Sequence, residues 1–259
     1  MRREERHHLK ENPLAVLVAQ VQDALRVGGW TLGVVAVVVV VGLLVIGGYF
    51  LWQQQQSDRA GDLLANAMAV RNAEVVPPPV ESDEGDAADG SWEQPPNSFP
   101  SGEARLEAAL PKLLAAADAY PSTPQGITAR FQAATALVAL GRFEEADTQY
   151  QQVIDLDGGQ LYGAMARLGL AESHLLTGEY EQAISLLEDE TGTTDSRVPI
   201  DAILMRLGWA YQLAGQVSDA LAAYTRVLEE FPLSLYLSDA RREAEILRGG
   251  IPPRTSSGG

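Results

Sequence analysis

Chemistry has few residues to work with in this sequence, which holds no cysteine and three histidines, His7, His8 and His174. The missing thiols rule out disulfides, thiolate metal sites and a cysteine nucleophile together. His7 and His8 adjoin in an N-terminal stretch and His174 lies far away in a helical segment, so the three do not make a metal cluster. His174 falls at a packing position and reads as a buried or partly buried packing residue. DLDGGQLYGAMA (155–166) opens like a calcium loop, but its twelfth position is Ala166, where a bidentate Glu is required. No Gly-rich phosphate loop, G-x-S-x-G or H-E-x-x-H run occurs. The sequence therefore predicts no catalytic residue, no metal and no cofactor, and the expectation is a protein that is not an enzyme.

Charge narrows the partners. The 259 residues carry 35 acidic and 19 basic side chains, of which the first 56 positions hold 4 and 5. Residues 57–259 then hold 31 and 14, and so strongly acidic a surface repels phosphate backbones. Nucleic acid is excluded as a partner.

Apolar patterning sets the domain order. No charged residue occurs from Val27 to Ser57, and WTLGVVAVVVVVGLLVIGGYFLW (30–52) exceeds the roughly 20 apolar residues that a helix needs to cross a hydrocarbon core. Trp30 at one end and Tyr49, Phe50 and Trp52 at the other stand where interfacial rings are expected. YFLWQQQQ follows in place of the small-residue cleavage site of a signal peptide. The reading is a cytoplasmic tail over 1–27 and a transmembrane helix over 28–52, in contact with membrane lipid. Arg2, Arg3, Arg6, Lys10 and Arg26 precede the span and only Arg59 and Arg71 lie near its far side, which puts the N-terminus inside and the rest of the chain outside. Gly33, Gly42, Gly47 and Gly48 read as packing tolerance within the membrane.

A juxtamembrane helix is expected over 53–75, carried by Leu63, Leu64, Ala67 and Met68 at helical spacing. The acidic, Pro- and Gly-rich stretch 76–101 cannot bury enough apolar surface to offset its ordering entropy and is expected to be a flexible linker. Trp92 and Phe99 within it read as residues resting on the neighbouring domain or as docking points.

The remaining sequence repeats. LGRFEEADTQY (140–150), TGEYEQAISLL (177–187) and AGQVSDALAAY (214–224) stand 37 residues apart, with Gly141, Gly178 and Gly215 in register. Ala146, Ala183 and Ala220 follow each glycine by five positions, and Tyr150, Leu187 and Tyr224 by nine. A helical segment lies on either side of each glycine, so each unit reads as helix, turn, helix. Glycine permits the tight turn, alanine the close approach of the two helices, and the large residues fill the gap to the next unit.

In this pattern the chain resembles the tetratricopeptide repeat, with three residues added to the usual period of 34. The expected fold is all-α, a single N-terminal transmembrane helix followed by a tetratricopeptide-type solenoid over 102–250. Its repeats fall at about 127–160, 164–197 and 201–234 with a cap at 235–250, leaving 251–259 as a disordered tail. GEARLEAALPKLLAAADAYP (102–121) reads as the second helix of a further unit whose first helix is sought in 57–75.

By the register of that family, the positions 10, 6 and 3 before each glycine face the concave groove. They are Phe131, Thr135 and Val138, then Leu168, Glu172 and Leu175, then Met205, Trp209 and Gln212. Phe131, Leu168, Met205 and Trp209 would make an adaptable apolar surface, with Arg206 the only base nearby. The same side chains serve equally well as packing between helices. Tetratricopeptide domains that hold chaperone tails share a Lys, Arg and Asn clamp, which this register lacks.

The order of parts, with KENP before the span, is similar to that of the YfgM-like ancillary SecYEG translocon subunits. That resemblance implies a single-pass protein of the bacterial inner membrane, with its repeat domain in the periplasm, assisting export as a scaffold or holdase. Its partners would be translocon subunits, periplasmic chaperones or exported chains. The alternative is a scaffold for envelope assembly or cell division that binds one dedicated protein. Oligomeric state is not legible.

Overall fold

A computed structural model of the chain describes residues 30–79, 93–157, 160–192 and 197–249. The basic N-terminal flank with His7 and His8, the acidic run 81–89, Trp92 and the tail 251–259 lie outside the described residues. Contacts divide the chain into two units, Met1–Gln56 and Ser57–Gly259. Helix α1, Trp30–Arg71, has residues in both, and each unit is described by itself.

In the first unit α1 is uniformly apolar, and its large side chains from Val34 to Trp52 are exposed. The stretch from Gly33 is long and apolar enough to cross a membrane, with a mean hydropathy of 2.9. Uniform greasiness without a sidedness suits a lipid surround, because lipid makes no distinction between faces of a helix.

The second unit is all-α but for one short ladder. After α1 come strands β1, Glu74–Val75, and β2, Ser98–Phe99, then helices α2, Gly102–Ala119, and α3, Pro124–Ala139. These lead to α4, Phe143–Asp157, α5, Leu161–Thr177, and α6, Tyr180–Thr191. Helices α7, Ile200–Leu213, α8, Val217–Glu230, and α9, Leu237–Arg248, complete the order. Consecutive helices pack against each other from α2 to α9, so the sequence order is the spatial order of a solenoid.

The turn glycines set the pairs. Gly141, Gly178 and Gly215 take φ values of +71°, +82° and +76°, the left-handed conformation that a Cβ disfavours. Each lets the chain reverse within three residues, and Ala146, Ala183 and Ala220 are then fully buried where the second helix crosses the first. Tyr150, Leu187 and Tyr224 are buried in the core four residues further on.

That core has two lobes. One gathers Ala67, Ala109, Leu113, Leu137, Tyr150 and Leu170, and the other Ala171, Leu187, Leu204, Tyr224, Ala244 and Leu247. The boundary falls between adjacent residues of α5, Leu170 and Ala171, so this helix is shared. Arg167 on α5 carries a buried ion pair to Glu190 of α6 at 2.6 Å, with the carboxylate side chain only 2% exposed.

Two expectations need correction. The helix sought over 53–75 stops at Arg71, and Glu74–Val75 is a strand. The stretch 76–101 is not flexible throughout, because its C-terminal end is ordered. Glu74 and Val75 pair in parallel with Ser98 and Phe99. Val76 N–H donates to Phe99 O at 2.8 Å, Gln94 Nε2 to Ser98 Oγ at 2.6 Å, and Arg105 Nη1 to Ala73 O at 3.2 Å. Ser101 then caps α2 by accepting from Ala104 N–H. Ala67, Leu64 and Met68 pack with α2 in the first lobe, so residues 57–71 and 102–119 form a helix pair whose turn has been replaced by a long excursion closed at its base. Phe99 is half-buried in that closure.

Candidate partner-binding site

Met205, Trp209 and Gln212 stand at i, i+4 and i+7 on α7, which places them on one helical face. That face meets α9. The two helices begin 37 residues apart, at Ile200 and Leu237, so α9 repeats the first-helix position of a unit whose second helix is missing. Between them lies a cavity of about 740 Å³, lined by these three residues and by Tyr236, Arg242 and Ile246 among others.

Its chemistry is mixed in an orderly way. Trp209 is 37% exposed and Met205 half-buried, giving an apolar floor that water reaches. Gln212 is nearly buried, and its Oε1 accepts the Tyr224 hydroxyl at 2.6 Å. Burial pushes the Tyr224 hydroxyl far above the ordinary tyrosine range, and the nearby Glu243 carboxylate adds to the shift. The hydroxyl is therefore a fixed donor at neutral pH, and Gln212 is a wall rather than a free hand. Arg242 on α9 pairs with Asp239 at 2.8 Å and Glu243 at 3.3 Å. Arg206 also lines the cavity, is exposed, and has no ion-pair partner among the described residues.

The other expected groove residues lie elsewhere. The Phe131 ring is half-buried between Tyr150 at 5.9 Å and Tyr162 at 5.6 Å, joining the first unit to the second. The Thr135 hydroxyl is turned back on its own helix, donating to Phe131 O at 3.0 Å. Leu168 packs against the second lobe of the core, and Glu172 is exposed. The structure thus brings Met205, Trp209 and Gln212 together and leaves Phe131, Thr135, Leu168 and Glu172 outside that cavity.

Three lining residues escaped the sequence reading. Tyr236, Arg242 and Ile246 belong to the segment read only as a polar cap, and Arg206 is consequently not the only base at the site. The signal was present in the 37-residue spacing, which extends from Ile200 to Leu237. His174 takes no part: its Nδ1 lies 2.6 Å from Glu179 Oε2, tying the end of α5 to the following turn. Among the described residues no group of three potential metal ligands occurs.

Stacked helix pairs with left-handed glycine turns and an exposed first-helix face define a helical repeat protein of the kind that binds other proteins. The chain matches the Tetratricopeptide repeat-like domain over residues 29–235 and belongs to that family. No curated protein matches it. Among solved structures it is similar to a Podosopora anserina protein described as a kinesin light chain with nearly identical TPR-like repeats. The identity there is 20% over 57% of this chain and 80% of that one, with a TM-score of 0.48. It is also similar to MamA, residue 41 to the end, from Desulfovibrio magneticus RS-1, at 18% identity over 56% of this chain and 81% of that chain, with a TM-score of 0.41. BtubC (BKLC) from P. vanneervenii matches at 18% identity over 60% of this chain and 63% of its own, with a TM-score of 0.43.

Proposed function

We propose that this is a single-pass protein of the bacterial inner membrane whose repeat domain stands in the periplasm and binds exported chains beside the Sec translocon. One observation carries the binding: a water-accessible cavity with Trp209 and Met205 on its floor, in a domain whose family works as a protein-interaction scaffold. Apolar surface that is neither buried nor scattered favours a protein that comes and goes. Met and Trp suit varied partners because the thioether adapts its shape while the indole supplies a large rigid contact. Support for the anchor comes from the exposed apolar length of α1, and support for the orientation from the five basic residues before it. Holding an unfolded chain needs no catalytic group.

A photocrosslinking residue at position 209, in intact cells, should capture translocon subunits or nascent secretory chains. Recovery of neither overturns the export reading. A single, always identical adduct, together with failure of the purified chain to suppress aggregation of unrelated unfolded proteins, would instead mark a dedicated scaffold in envelope assembly or cell division. Digestion of the repeat domain from the cytoplasmic side of membranes would overturn the orientation.

A further inference from the structure

The turn between α8 and α9 displays two leucines to water. Leu233 is 96% exposed and Leu235 94%, more than any other large apolar residue outside α1. The turn is not loose. The Ser234 hydroxyl donates to Asp201 Oδ2 at 2.6 Å, at the start of α7, and Tyr236 N–H donates to Ser234 Oγ at 3.0 Å. Leu237 N–H closes the turn on Ser234 O at 3.3 Å. With Ser234 held inward, the residues on either side of it are held outward. The next residue, Tyr236, lines the cavity beside Trp209. A rigid apolar knob and an apolar hole therefore lie side by side at one end of the array.

Charge singles out the same end. Residues 57–199 hold 24 acidic and 8 basic side chains, whereas residues 200–249 hold 7 and 5. Two copies of so acidic a domain repel each other everywhere except here, where the surface is close to neutral. A basic protein partner would favour the opposite, acidic part. A neutral patch carrying both knob and hole fits a surface like itself, and a self-complementary patch closes by a twofold axis.

From this we infer that a second copy of the chain docks at this end, Leu233 and Leu235 of each copy entering the cavity of the other beside Met205 and Trp209. The inference rests on reading that cavity as a protein-docking surface. A docked copy covers Trp209, so self-association and partner binding exclude each other, and the dimer is the closed form of the scaffold.

The experiment uses the full chain in detergent and in reconstituted bilayers. Sedimentation should give a dimer, and Leu233→Ser with Leu235→Ser should weaken it by about a hundredfold or more. Helical circular dichroism should stay unchanged, because neither leucine supports the fold. The chain has no cysteine, so disulfides report only on placed pairs. Copies carrying Leu235→Cys and differently tagged copies carrying Met205→Cys should join on oxidation, whereas Thr148→Cys, exposed on α4, should not pair with either. A wild-type monomer, a dimer that survives the double serine substitution, or absence of the 235 to 205 disulfide overturns the inference. So does quenching of a dye on Leu235→Cys by nitroxide lipids, which would make the bilayer the occupant. Crosslinking from position 209 separates the two readings. Capture that persists beside a monomeric wild type leaves the partner reading standing and sinks the dimer, while a dimer without capture does the reverse.

Discussion

Tyr224 lies against Gly208 of its own unit so closely that a Cβ at position 208 would stand 2.5 Å from Tyr224 Cε1. Tyr150, at the same register one unit pair earlier, lies instead against Gly169 of the following unit. One ring therefore closes a unit and the other joins two, although both follow their turn glycines by nine residues. Gly208→Ala should destabilise the repeat domain by about 1–3 kcal/mol, because Tyr224 is fully buried and its hydroxyl is held by Gln212, leaving the ring nowhere to go. Gly61→Ala, where nothing lies within 4 Å, should be neutral or slightly stabilising. Urea midpoints of the full chain in detergent check both.

Much of this was legible because repeats print their packing in register. The glycine, alanine and bulky positions named the helix pairs, since a left-handed turn, a helix crossing and a core ring each demand one residue type. The first helix pair was harder. Its turn is an excursion from Asn72 to Ser101 closed by backbone bonds such as Val76 to Phe99, and backbone bonds leave little mark on side-chain type. The cavity was half legible. Trp209 and Met205 followed from the register, but Tyr236 and Ile246 sit on a helix whose charges hid its repeat position. The concave face as a whole was overdrawn, because Phe131 and Leu168 satisfy the groove register while being spent on packing between units.

Register also exposes an ion pair that composition conceals. Arg167 and Glu190 occupy the positions of Leu204 and Val227 in the next unit, where the same contact is apolar. Arg167→Leu should cost about 3–5 kcal/mol, since it removes the guanidinium 2.6 Å from a carboxylate that is 2% exposed. Adding Glu190→Val should recover most of that loss, because an apolar pair of similar volume serves a buried site at least as well. Arg130→Leu is the contrast: its partner Asp118 is 68% exposed, and the cost should be nearer about 1 kcal/mol. A double-mutant cycle on denaturation midpoints reads the coupling.

Alkaline pH should unfold the chain through its buried tyrosines. Burial raises the hydroxyls of Tyr224 and Tyr150, and burial with the Glu188 contact raises that of Tyr211. The unfolded chain ionises first, at the ordinary tyrosine value near about 10, so the folded state binds more protons above that pH. Stability should be undiminished below about pH 10 and fall as pH rises beyond it. Tyr224→Phe should flatten that fall. At neutral pH the same substitution should cost about 1–3 kcal/mol, because the nearly buried Gln212 Oε1 loses its donor. Urea midpoints taken between about pH 8 and about pH 12 check both signs.

The cavity and the packing residues should separate in one comparison. Trp209→Ala should cost about 1 kcal/mol or less in stability, since the ring is 37% exposed, yet should abolish crosslinked capture from a probe placed at Met205. Phe131→Ala should behave the opposite way. Its ring touches Tyr150 and Tyr162 across the junction of two units, so its loss should cost about 2 kcal/mol or more while capture per folded molecule stays constant. If Phe131→Ala instead lost capture at an unchanged urea midpoint, the binding face would run down the first helices of all three units rather than ending at α7 and α9.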